Sequence, residues 1–195
     1  SYATVHGCLL KGAGYGGGVF GYAICVESPH HVTITDNEVW ATSDETFDID
    51  VTQGVSAKDY LISNNIVKAS YSEDGVSRKP ETSYLPVAVL VGNGTFTANT
   101  ITVSSGGGIV SVRTTGGTVT NNILIEERAS IPSQARNLTV QDAYNTVITG
   151  NIFRNTVSTA EPVIWYRYNN LTATAADSIA AGNSDIPANN TFEHA

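Results

Sequence analysis

Three carboxylates stand out by type and spacing. Asp48 and Asp50 lie two apart in Phe47-Asp48-Ile49-Asp50-Val51, and Glu27 closes the alternating stretch 22–28. Successive side chains of a strand point to opposite faces. Ile24, Val26, Phe47, Ile49 and Val51 then turn to one side, and Cys25, Glu27, Asp48 and Asp50 to the other. Two residues apart on a strand, Asp48 and Asp50 have Cα atoms about 6.6 Å from each other. Glycoside hydrolysis needs such a set: one protonated carboxyl for the leaving oxygen, one carboxylate as base or nucleophile. Close like charges raise one pKa, which a general acid requires. Glu27 is the candidate acid if its strand aligns it with Asp50. The spacing leaves both retention and inversion open. Outward carboxylates on a strand also serve simply to discourage edge pairing.

The same alternation adds Ala88 and Leu90 from stretch 86–92, Ser111 and Arg113 from 108–113, and Thr139 and Gln141 from 137–142. Stretch 163–168 adds Val163, Trp165 and Arg167. Arg113, Gln141, Trp165 and Arg167 are the candidate substrate-binding residues. An indole stacks on a sugar ring and a guanidinium grips acidic groups through two bonds. A tryptophan also packs in cores or between subunits. His30 and His31 are adjacent and so face opposite ways on a strand, where such pairs rarely bind one metal. No metal site and no cofactor is expected.

These residues sit on strands because the chain repeats. The pattern is an apolar residue, two small or polar ones, Asn, one residue, then apolar. It reads Ile34-Thr35-Asp36-Asn37-Glu38-Val39, then Ile62-Ser63-Asn64-Asn65-Ile66-Val67. Three more copies are Phe96-Thr97-Ala98-Asn99-Thr100-Ile101, Val119-Thr120-Asn121-Asn122-Ile123-Leu124 and Ile148-Thr149-Gly150-Asn151-Ile152-Phe153. A degenerate copy is Asn189-Asn190-Thr191-Phe192. Each copy follows an alternating, β-branched stretch, which is a strand signal. Helical periodicity is confined to 173–181. One such unit cannot bury its apolar face, whereas stacked units can. Asn37, Asn65, Asn99, Asn122 and Asn151 are expected at left-handed turn positions, their amides forming a ladder up the stack. The expectation is an all-β chain: a single-stranded parallel β-helix of about six coils over 1–195, with 70–84, the most charged stretch, as an inserted loop.

The five Asn copies, with coils of about 23 to 34 residues, and the phrase Phe47-Asp48-Ile49-Asp50-Val51 before Ile62-Ser63-Asn64-Asn65-Ile66 resemble the pectate-lyase-like superfamily. The resemblance covers residues 20–157. It implies a right-handed parallel β-helix and a polysaccharide ligand. Members include pectate lyases, polygalacturonases, alginate epimerases and bacteriophage tailspike depolymerases. The low charge, the Ser/Thr/Asn/Gly richness and the uneven coils look most like a tailspike, which implies a homotrimer outside the cell or on a virion. The Gly-His-Gly segment of polygalacturonases and the Arg-x-Pro-x-x-Arg of pectate lyases are missing, which points away from pectin. Two alternatives stand beside a hydrolase or lyase: a non-catalytic adhesion or tail-fibre module, and an alginate-type epimerase or lyase using Tyr60 or His31.

Composition narrows the classes further. Charged residues make up 14% of the 195, against about 25% in an ordinary soluble domain. Stacked like residues tolerate few like charges. Lys plus Arg number 10 and Asp plus Glu 18, a net charge of −8 with no basic run. A nucleic acid is therefore not an expected partner. No apolar run is long enough to span a bilayer. Cys8 and Cys25, the two cysteines, fit either one disulfide or two buried thiols. The absence of Met and the Gly-rich start are read as part of a longer chain, whose neighbouring coils would then be partners.

Overall fold

The computed structural model describes residues 2–11, 23–27, 30–42, 47–50, 58–69, 86–103, 108–127, 136–157 and 162–195. The stretch 70–84 and the glycine-rich 12–18 lie outside the described residues. The chain is all-β with parallel sheets, an arrangement compatible with a β-helix.

Its strands fall into three parallel ladders. The first holds β1 (Ala3–His6), β4 (His30–Thr35), β7 (Lys58–Ser63), the second half of β9 (Pro86–Thr97), β12 (Thr118–Thr120) and β15 (Val147–Thr149). The second holds β2 (Leu9–Lys11), β5 (Glu38–Thr42), β8 (Ile66–Ala69), β10 (Thr100–Val103), β13 (Ile123–Glu126), β16 (Ile152–Asn155) and β19 (Thr191–His194). The third holds β3 (Ile24–Glu27), β6 (Phe47–Asp50), the first half of β9, β11 (Gly108–Thr114), β14 (Arg136–Gln141) and β17 (Ile164–Tyr168). From β1 to β17 the chain visits the ladders in one cyclic order, with β9 serving the third and then the first without a break.

The register stacks like on like. Ile34, Ile62, Phe96, Val119 and Ile148 form one inward column of the first ladder. Val39, Val67, Ile101, Leu124, Phe153 and Phe192 form the column of the second. Leu90, Val112, Val140 and Tyr166 belong to the third. These side chains merge into one apolar core. Each such burial contributes about 1.5–3 kcal/mol. Phe153 and Phe192 stack in parallel with centroids 5.2 Å apart.

The corner between first and second ladders carries the asparagines. Asn37 donates from its backbone N–H and from Nδ2 to Asn65 Oδ1, at 3.1 and 2.9 Å. Asn65 does the same to Asn99, Asn99 to Asn122, and Asn122 to Asn151. The second Nδ2 proton reaches a carbonyl of the preceding turn: Val5 for Asn37, Ile34 for Asn65, Ile62 for Asn99, Phe96 for Asn122, Val119 for Asn151. Every amide is buried and fully partnered. The ladder asparagines are not the left-handed residues. That conformation belongs to the residue before each, Asp36, Asn64, Ala98, Asn121 and Gly150, and to Gly7 before Cys8, at φ between 56° and 68°. The ladder needs Asn for its amide, and the turn before it needs a residue that tolerates αL.

Both ends of this ladder are closed by other chemistry. At the start Cys8 occupies the rung position and gives only its N–H to Asn37 Oδ1. Its thiol is free and exposed, so the disulfide reading does not hold for Cys8, nor the buried one. At the finish Asn190 accepts from Asn151 and donates to the carbonyls of Ile148 and Ile186. The degenerate copy is thus a true last rung.

Past β17 one strand breaks the parallel rule, while β19 keeps it. β18 (Leu171–Ala173) pairs antiparallel with β17. Helix α1 (Ala175–Ala180), inside the stretch with helical periodicity, is set by a capping box between Thr174 and Asp177. A second helix, α2 (Ile186–Asn189), starts on the Asp185 cap with Pro187 in its first turn.

Candidate functional site

The outward side of the third ladder holds the residues with chemistry. The backbone register puts Cys25 beside Asp48, and Glu27 beside Asp50. Neighbouring strands are about 4.8 Å apart. The lateral neighbour that Glu27 required is therefore the one it has. The side chains of Glu27, Asp48 and Asp50 lie outside the described ones, so their role is taken up below as a proposal. The column of Asp48 continues through Val89, Ser111, Thr139 and Trp165. Asp48 and Trp165 are four strand spacings apart, about 19 Å. The backbone positions of Asp48 and Trp165 thus stand at opposite ends of one ladder.

One expected part of the strip is corrected. Ala88 and Leu90 do not face out. They pair with Phe47 and Ile49 on one side and with Val110 and Val112 on the other, and both are fully buried in the core. Val89 and Val91 take the outward positions. Stretch 86–91 is apolar in both phases, so alternation carried no phase information there. Cross-strand register decides it.

At mid-strip, Val89 and Ser111 are buried although they lie outside the core cluster. Among the described residues Ser111 Oγ has no hydrogen-bond partner. A buried hydroxyl without a partner costs about 1–3 kcal/mol. Trp165 is half-buried at the far end. The Cζ of Arg167 and of Arg136 lie 5.5 and 5.7 Å from its ring centroid. Gln141 is the lateral neighbour of Arg167, and Arg113 is exposed one strand earlier. Trp165, Arg167 and Gln141 are thus brought together, and Arg136 joins them. Sequence reasoning missed Arg136 because a shared backbone acceptor, the Val163 carbonyl bound by Asn137 and Leu138 N–H, marks an irregular strand entry.

Tyr166 lies between Trp165 and Arg167 but points inward. Burial, helped by Asp185 and Tyr168, pushes its pKa up to about 12. Its hydroxyl also lacks a partner among the described residues.

Tyr60 and His31 sit on the first ladder, away from this strip. Tyr60 is buried with its ring over Gly94, where a Cβ would collide with it. Burial raises its pKa beyond the ordinary range. His31, at φ 58°, stacks on Tyr2 at 4.7 Å and places Nδ1 3.6 Å from Asp59 Oδ2. Among the described residues no three His, Cys, Asp or Glu side chains converge as metal ligands.

Sequence reasoning also passed over Trp40. Val39 faces in, so Trp40 faces out on the second ladder, between Lys11 and Lys68. Trp40 and Lys68 are each the third residue after a repeat asparagine (Asn37, Asn65), whereas Lys11 follows Cys8, which only the structure shows at a rung.

No family model, no curated protein and no solved structure matches this chain.

Proposed function

We propose that this chain is a right-handed, single-stranded parallel β-helix of about six coils that binds a polysaccharide along the outer strip of its third ladder and cleaves it. The handedness follows the rule for parallel strands joined by crossovers. The observation that carries the function is the register that sets Glu27 beside Asp50 on adjacent strands. Two laterally paired carboxyls share charge, so one is driven to keep its proton while the other stays ionised. Asp48, one position over on the same outward column set, is the third candidate. The Trp165, Arg167 and Gln141 group supplies a distant subsite, and Arg113 lines the way between. A strip about 19 Å long suits a chain-like ligand rather than a single small sugar.

In this reading one carboxyl donates a proton to the glycosidic oxygen as that bond breaks. The other takes a proton from water or attacks the anomeric carbon. The setting is a phage-tailspike-type depolymerase, homotrimeric, on a virion or outside the cell. The burial of Tyr60 is what ranks an epimerase-type mechanism lower, because a proton-abstracting tyrosine must reach substrate.

The test is incubation with acidic bacterial polysaccharides, following new reducing ends and the absorbance of new double bonds. Asp50→Asn is expected to abolish hydrolysis while binding is kept, and Glu27→Gln to do the same. Unchanged turnover in Asp48→Asn, Asp50→Asn and Glu27→Gln sinks the site. Binding without cleavage by the parent chain replaces the enzyme with an adhesion or tail-fibre module.

A further inference from the structure

The first ladder turns outward a surface that the proposed function does not use. Ile34, Ile62, Phe96, Val119 and Ile148 form its inward column and are buried, so the residues on either side of each face out. Register sets those residues in two columns. One is Thr33, Leu61, Thr95, Thr118 and Val147; the other is Thr35, Ser63, Thr97, Thr120 and Thr149. Leu61 and Val147 apart, every position carries a hydroxyl, and none carries a charge or an aromatic ring. The outward sides of the other ladders do carry charge, with Glu38, Arg154 and Glu193 on the second and Arg113 and Arg167 on the third. From β9 onward the rim of the first-ladder face is uncharged too, made of Asn93, Ala98, Gly116, Asn121, Asn145 and Gly150. Neighbours in a column are about 4.8 Å apart, and the columns are about 6.6 Å apart along the strand. The hydroxyls of Thr97 and Thr120 meet at 3.0 Å. Threonine is stiff at χ1, so hydroxyl and methyl each keep their place. Every residue of the second column stands two before a ladder asparagine. Such a side-chain ladder holds a many-stranded sheet in register and limits its twist.

We propose that this face of the first ladder binds the surface of ice. Its ligand must be neutral and must repeat in two directions, at about 4.8 and 6.6 Å. Hexagonal ice presents oxygens with comparable repeats, and each oxygen donates and accepts as a hydroxyl does. The methyl groups between the hydroxyls release their hydration water favourably. A charged side chain would instead hold its own hydration shell against the lattice. A dissolved sugar chain repeats in one direction only and is gripped by aromatic rings or charges, which these columns lack. A second copy of the chain is disfavoured by size. The columns span about 19 by 6.6 Å, whereas a stable interface buries about 800 Å² per partner. The face shares no residue with the third-ladder reading, so each can fail alone.

The test cools a solution of the full chain around a seed crystal of ice and reads the gap between melting and freezing points. Grain growth in polycrystalline ice is the second readout. The parent chain is expected to open a gap and to slow grain growth. Thr95→Tyr and Thr118→Tyr each push a ring through the plane of the array and are expected to remove most of the gap. Tyrosine suits a strand, and circular dichroism of each variant checks that the fold is kept. Thr102→Tyr lies outward on the second ladder, between buried Ile101 and Val103, and is expected to keep the gap. Asp50→Asn on the third ladder is expected to keep it as well. A parent chain that opens no gap and leaves grain growth unchanged overturns the proposal. So does a gap that survives both face variants, or one that Thr102→Tyr removes equally. A parent dimer that Thr118→Tyr disperses in sedimentation gives the face to a second copy and overturns the proposal too.

Discussion

Two corners of this fold do the same topological work with different chemistry. Between the first and second ladders the five turns at Asn37, Asn65, Asn99, Asn122 and Asn151 each have a left-handed residue and then a buried asparagine. Between the third and first ladders the turns differ from one another. β9 runs straight through, with Gly92 at φ 87°. His31 and Asp59 are left-handed neighbours in register, Gly116, Asn145 and Gly182 are left-handed in later coils, and Thr114, Thr146 and Asn183 form a short polar run. The cause lies in donor and acceptor counts. An asparagine amide gives two protons and accepts two, so each rung satisfies the next and the pattern propagates. A threonine hydroxyl has one proton. Thr146 Oγ meets Thr114 Oγ at 2.8 Å, but its backbone N–H must go to Asn183 Oδ1. The run stops there.

The largest expected effect comes from breaking the uniform corner at its middle. Asn99→Ala removes the acceptor of two Asn65 protons and the donor to Ile62. Several buried groups then lose partners at about 1–3 kcal/mol each. The loss is expected to reach about 3 kcal/mol or more, read by denaturant unfolding. Thr146→Val at the other corner keeps the backbone bond to Asn183 and loses the hydroxyl ones. Its expected cost is about 1–2 kcal/mol. Equal costs for the two variants would erase the distinction between the corners.

A smaller effect, of opposite sign, separates rung from turn. Ala98 is left-handed at φ 56°. An L-residue bears about 1–2 kcal/mol there, and glycine loses about 0.5–1 through entropy. Ala98→Gly is expected to raise stability by up to about 1 kcal/mol, seen as a higher melting temperature. A drop would mean that the methyl group packs in a way the turn geometry does not explain.

The smallest effect is confined to alkaline pH. The folded pKa of Tyr166 is raised to about 12 from 10.0. The neutral phenol is therefore favoured by folding. Its contribution is complete below pH 10 and is lost as pH rises towards 12. Tyr166→Phe is expected to lessen the alkaline fall in stability and to delete one late tyrosinate transition, near pH 12, in an ultraviolet titration. An unchanged titration would place the late transition on another tyrosine.

The outward faces of the third and second ladders divide in the same manner between local and non-local information. Trp40 facing out follows from Val39 facing in, whereas the neighbourhood of Lys11 and Lys68 is set by cross-strand register. Ala88 and Leu90 were placed on the wrong side because a stretch apolar in both phases carries no alternation. The pairing of Glu27 with Asp50 was a condition until two distant strands came into register. The capping box of α1 was within reach of local pattern, but the antiparallel turn of β18 was not.

By itself the sequence determined the strand repeat, the asparagine positions and the parallel all-β class. These depend on spacing of apolar and amide groups within one turn of chain, which is local. Tertiary structure alone decided which residue of each turn is left-handed, how the ladder ends at Cys8 and Asn190, and which outward side chains become neighbours. Those depend on register between strands 22 or more residues apart, and register is fixed by packing across the stack rather than by any single strand.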